Sequence, residues 1–214
     1  MKLKNRGAFV LAAVLLILNS CIGIRSDIQF RADGSGTVNL EYRYAKAMES
    51  LGKLDGNERW PVLPAGRADF ERTVARVQGL KLLSFSSRED EKDSIYQIGL
   101  SFADLESLVR FLDAQGQRAL IKKENGKTIL TLTLPNSKED FDPDLMALVT
   151  SLAQGYRFEM TFSVPSGSAD LRIVPGDSTI PGAELVSGSG KASFSAPIAH
   201  LLTATRNLGL ELSF

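Results

Sequence analysis

Residues 26–44 read SDIQFRADGSGTVNLEYRY, and this stretch decides the fold class. Ser26-Asp27-Ile28-Gln29-Phe30-Arg31 alternates polar and apolar, as does Thr37-Val38-Asn39-Leu40-Glu41-Tyr42-Arg43-Tyr44. A period of two suits a strand with one buried face. Asp33-Gly34-Ser35-Gly36 between them is a turn, so the stretch predicts a β-hairpin.

The same reading extends outward. Residues 45–52 look weakly helical, and residues 53–67, with two Pro and two Gly, predict a loop. A helix from Ala68 places Phe70, Val74 and Val77 on one face and stops at Gly79. Strands follow at Leu80–Ser86 and Ser94–Phe102. Ser101-Phe102-Ala103-Asp104 has the form of a capping box, with Leu105, Leu108, Val109 and Leu112 at helical spacing behind it. Asn125-Gly126, the preferred pair of a type I′ turn, joins strands Arg118–Lys123 and Thr128–Leu134. Asp142 and Pro143 open a third helix that ends at Gly155. Strands at Arg157–Val164, Asp170–Val174, Glu184–Ser187 and Ala192–Ser195, a short helix from Pro197, and a last strand Gly209–Phe214 complete the chain. The order lacks regular βαβ alternation. It predicts an α+β fold, an antiparallel sheet of hairpins with helices packed on one face, as a single domain over residues 26–214.

Composition limits the function classes. The chain has 214 residues, 25 basic and 25 acidic, with 43% hydrophobic residues, which are ordinary globular values. Three of the basic residues, Lys2, Lys4 and Arg6, fall in the first 20 positions, where there is no acid. The rest of the chain is therefore mildly acidic, which argues against nucleic acid as a partner.

Residues 1–21 read MKLKNRGAFVLAAVLLILNSC. A basic start, the apolar run Ala8–Leu18, and then small or polar residues form a secretory signal. Eleven helical residues cover about 16 Å, half of a bilayer core of about 30 Å, so this run is too short for a permanent span. Leu18-Asn19-Ser20-Cys21 resembles the bacterial lipobox, although Asn19 departs from its usual small residues. The resemblance implies a cleaved signal peptide over residues 1–20, diacylglycerol on the Cys21 sulfur, and a short tether over residues 21–25. Cys21 is the single cysteine, as expected where lipidation consumes the thiol. Ile22 rather than Asp follows it, which by enterobacterial sorting favours the outer membrane over the inner.

A hairpin just after a lipidated Cys, a late strand ending in Pro165, a Gly/Ser-rich strand pair and a terminal strand together resemble the LppM-like lipoprotein domain. The resemblance implies a fold and a location and transfers no site.

The chemical motifs fail on required positions. Gly126-Lys127-Thr128 lacks the leading Gly of a phosphate loop, with Ile121 in its place, and closes a hairpin. Asp140, Asp142 and Asp144 begin like a Ca²⁺ loop, but Leu145 and Ser151 stand where Gly and Glu are needed. Ser50-Leu51-Gly52-Lys53 has no S-D-N or K-T-G partner element, and Ser187-Gly188-Ser189-Gly190 lacks the first Gly of a nucleophile elbow. His200 is the only histidine. No catalytic residue, cofactor or metal is expected. Trp60, Val62 and Leu63 form an apolar loop cluster that could contact a membrane or a partner. The expected role is a lipid-anchored binding module for an envelope protein or amphipathic ligand. A hydrolase using His200 or paired carboxylates and an apolar-ligand carrier are the alternatives.

Overall fold

The computed structural model describes residues 22–46, 66–114, 118–134, 147, 150–204 and 206–214. The elements are strands β1 (Ile22–Phe30) and β2 (Gly36–Ala45), helix α1 (Arg67–Arg76), strands β3 (Leu80–Glu89) and β4 (Asp93–Phe102), and helix α2 (Leu105–Ala114). They continue with strands β5 (Ala119–Glu124), β6 (Lys127–Thr133), β7 (Arg157–Val174) and β8 (Glu184–Pro197), helix α3 (Ile198–Leu202) and strand β9 (Gly209–Ser213).

The turn chemistry acts where it was read. Asp33 accepts from the Ser35 backbone N–H at 3.0 Å and closes the β1–β2 turn, with Gly34 at φ +85°. Asn125 and Gly126, at φ +51° and +77°, close β5–β6. Gly79 stands at φ +86° just beyond α1. The cap of α2 differs from the expected box. Asp104, not Ser101, accepts from the Ser107 N–H at 2.7 Å, and Ser101 remains in β4.

The sheet corrects the antiparallel expectation. Nine strands form one mixed sheet in the order β3-β4-β2-β1-β7-β9-β6-β5, with β8 also on β7. β1 and β7 run parallel, Ile24 beside Phe158 through Gln29 beside Ser163. The hairpin occupies only one edge of β1, and the other edge accepts a strand from 134 residues further along the chain.

β7 belongs to both halves of the sheet. Residues 158–163 lie between β1 and β8, whereas residues 170–174 pair with β9. Between Ser163 and Ser168 the chain takes five steps while β8 takes two, from Lys191 to Ser189. Pro165 lacks an N–H for the ladder, and Gly167 and Gly190 adopt φ +83° and +72°. The excess reverses the alternation: Phe158, Met160, Phe162 and Val164 are buried before the corner, Ala169 and Leu171 after it. The two segments expected at Arg157–Val164 and Asp170–Val174 are thus one bent strand. The curled β7–β8 ribbon brings its connection back to its base, where Arg157 donates to Gly182 O at 3.2 Å.

Ile28, Val38, Leu100 and Phe162 form the centre of the core, none more than 0% exposed. α1 packs Phe70 against the rings of Tyr42 and Phe85, and α2 touches β3, β4 and β5. The helix expected after Asp142 lies largely outside the described residues. Among those residues, no helix is long and apolar enough to cross a membrane.

Candidate functional site

Cys21, Trp60, Val62 and Leu63 lie outside the described residues, as do Ser50, Lys53, Asp140, Asp142 and Asp144. The tether expected over residues 21–25 is corrected, since β1 begins at Ile22 and Gly23 and Ile24 already pair with Arg43 and Tyr42. Two apolar residues, Ile22 and Ile24, extend the strand pattern upstream of the alternation read at Ser26.

The folded body therefore starts one residue after Cys21. A groove opens at that end, lined by Gly23, Arg25, Glu41, Arg43, Tyr156, Arg157 and Glu159 among others. Register explains the assembly. Arg25 lies opposite Glu41 on β2 and Glu159 on β7, all three on one sheet face. Arg25 donates its Nε to Glu159 at 2.6 Å. Arg43 donates its Nε to Glu41 at 2.8 Å, and Gln97 donates to the other Glu41 oxygen at 2.8 Å. Burial pushes the Glu41 carboxyl up, but the hydrogen bonds from Gln97 and Arg43 outweigh it and hold the group below its ordinary range. Arg157 is held by Ser195 Oγ at 2.8 Å and by Gly182 O, with Glu184 at 3.6 Å.

Gly23 is the floor of the groove. A Cβ there would lie 3.2 Å from Tyr156 Cδ1 and 3.5 Å from Arg43 Cβ. Tyr156 crosses this floor and donates its hydroxyl to Asp93 on β4 at 2.5 Å. Its ring thus forms one wall of the groove.

Among the described residues no helix packs on this sheet face, which stays polar within and beyond the groove. The row that crosses the groove reads Ser86, Gln97, Glu41, Arg25, Glu159 and Ser195 over six strands. The next reads Ser84, Gly99, Asn39, Asp27, Thr161 and Ser193, and only Gly99 in it is buried.

His200 sits elsewhere, exposed on α3, its Nδ1 2.6 Å from Pro181 O. It borders an open groove of about 430 Å³ that also contains the Arg206–Asp177 ion pair at 3.0 Å. No cluster of three or more His, Cys, Asp or Glu suited to a metal occurs among the described residues.

No family model matches the chain, and no curated protein matches it. Among solved structures it is similar to the folded domain of LppM from Mycobacterium tuberculosis, determined by NMR. The identity is 12%, the match covers 91% of this chain and 90% of that one, and the TM-score is 0.46.

Proposed function

We propose that the protein is a bacterial envelope lipoprotein whose body is a non-catalytic binding module. Acyl chains on Cys21 hold it at a membrane, and the polar face of β3, β4, β2, β1, β7 and β8, on which no described helix packs, receives an envelope partner. The observation that carries this reading is that face. A polar sheet surface is compatible with water, but here it begins at the groove near the start of β1 and its Asp27–Asn39 row lies about 20 Å along the strand from the anchor, where partners in the same membrane can reach it. Its exposed Asn39, with Asp27, Thr161 and Ser193 in the same row, offers hydrogen-bonding groups on a rigid scaffold.

A second reading, carriage of an apolar ligand between sheet and helices, is favoured by one group on the other face: Ser26 Oγ is buried with no hydrogen-bond partner among the described residues.

A photo-crosslinking residue at Asn39 in the native membrane distinguishes the readings. The expected result is one stoichiometric adduct from Asn39, absent when the same residue replaces Leu120, which is 71% exposed on the outer side of β5. An apolar small molecule recovered with the protein, without an adduct, would favour the carrier. Hydrolytic turnover abolished by His200→Ala would overturn both.

A further inference from the structure

We propose that the groove over Gly23 binds the phosphate-bearing headgroup of an anionic phospholipid, in the same leaflet that holds the Cys21 anchor. The body then docks on the bilayer by the end at which β1 begins. This rests on Cys21 being lipidated, and the test below separates the two.

Position comes first. A strand advances about 3.3 Å per residue, so Gly23 lies at most about 7 Å from Cys21, and Arg43 lies about 5 Å to the side of Gly23 on the neighbouring strand. The headgroup layer on each side of a bilayer is about 5–7 Å thick. The Gly23 end of the groove is therefore within reach of phosphate depth when the anchor is inserted. Arg25, two residues further and up to about 13 Å from Cys21 along the strand, lies above that layer and reaches toward it with its 59% exposed side chain.

The donors come second. Arg25 and Arg43 each spend Nε on a carboxylate, Glu159 and Glu41. No hydrogen bond among the described residues occupies their Nη atoms, and the side chains are 59% and 42% exposed. The carboxylates fix the planes of the guanidiniums and leave the terminal N–H groups as donors. Guanidinium forks match the paired oxygens of a phosphate diester. Arg157 is a third guanidinium at the groove, paired with Glu184 at 3.6 Å, so three arginines face three carboxylates and the attraction for a phosphate rests on the outward Nη groups of Arg25 and Arg43, not on net charge. The absence of a side chain at Gly23 leaves the space between Arg43 and Tyr156.

The anchor supplies the concentration. A site that would bind a dissolved anion weakly is held in the headgroup layer, where the local concentration of phosphate is high.

The test uses the lipidated protein, extracted from its membrane and placed in vesicles of phosphatidylcholine alone or of equal parts phosphatidylcholine and phosphatidylglycerol. Arginines are labelled with phenylglyoxal and read by mass spectrometry. Arg25 and Arg43 should label about five-fold more slowly in the anionic vesicles. Arg31, at the far end of β1 beside the Asp33 turn, should label equally in both. Gly23→Leu should abolish the difference at Arg43, and Arg43→Gln should reduce it at Arg25 without requiring the floor to be filled. Equal labelling in both vesicles overturns the proposal. So does slowing that reaches Arg31, or slowing produced by dissolved glycerol phosphate and not by the anionic vesicles. A protein that pellets with neither vesicle overturns the anchor reading, and the headgroup site falls with it.

Discussion

Ser26 is 3% exposed, yet it projects from the apolar face of β1. Its strand partners on either side are Leu40 and Met160, and Ile24 and Ile28 flank it on the same face. A buried hydroxyl without a partner costs about 1–3 kcal/mol in lost hydration. Ser26→Ala removes that cost. The oxygen leaves a void of roughly 10–15 Å³, which at about 24 cal/mol per Å³ returns about 0.3 kcal/mol. The variant should therefore be more stable by about 1–2 kcal/mol. Urea unfolding should show a higher midpoint with an unchanged slope, and the melting temperature should rise by about 2–4 °C per kcal/mol for a domain of this size. Ile28→Val, one step along the same face, calibrates the measurement and should lose about 0.5–1.5 kcal/mol. A Ser26→Ala variant less stable than the parent by more than about 0.5 kcal/mol would refute the reasoning. It would mean that the hydroxyl is bonded inside the body, by water or by a bound polar group.

Gly36 lies between Phe30 and Phe102 in the sheet register. A Cβ there would fall 2.0 Å from the carbonyl oxygen of Gln29 and 2.3 Å from Cζ of Phe102, so backbone must move. Gly36→Ala should cost about 1–3 kcal/mol or more in urea unfolding. Glu41 titrates below its ordinary value in the folded protein, so the unfolded chain takes up its proton first as pH falls. Its contribution is fully present above the unfolded value of about 4.3 and is lost as pH drops through the lower folded one. Unfolding measured as a function of pH should show a shallower loss of stability below about pH 4.5 for Glu41→Gln than for the parent. Cys21→Ser should abolish labelling by radioactive palmitate and release the protein from the membrane after carbonate washing, because no acyl chain then anchors it.

The hairpins were legible in the sequence because their causes are local. Asp33, Gly34, Asn125 and Gly126 prescribe turn dihedrals without help from distant residues. Part of the groove was legible for the same reason. With the turn at 33–36, the register of an antiparallel hairpin sets Arg25 opposite Glu41 and Gly23 opposite Arg43. The strand start at Ile22 escapes the sequence reading because Ser26 interrupts the apolar series of Ile22, Ile24 and Ile28 and because strands disfavour Gly23, although here its lack of a side chain makes room for Tyr156.

What the sequence could not disclose is the partner of the free edge of β1. Any strand with a buried face satisfies that edge, and nothing in residues 157–163 specifies direction. Direction, however, decides the site. Because β7 runs parallel to β1, both strands begin at the same end of the sheet, and Arg157 and Glu159 arrive beside Gly23 and Arg25. An antiparallel strand in the same place would bring the corner at Pro165 there instead and leave Arg25 without its carboxylate. The groove next to the anchor is thus completed by one long-range parallel pairing, which adds Arg157 and Glu159 of β7 to the charges that the β1–β2 hairpin sets side by side.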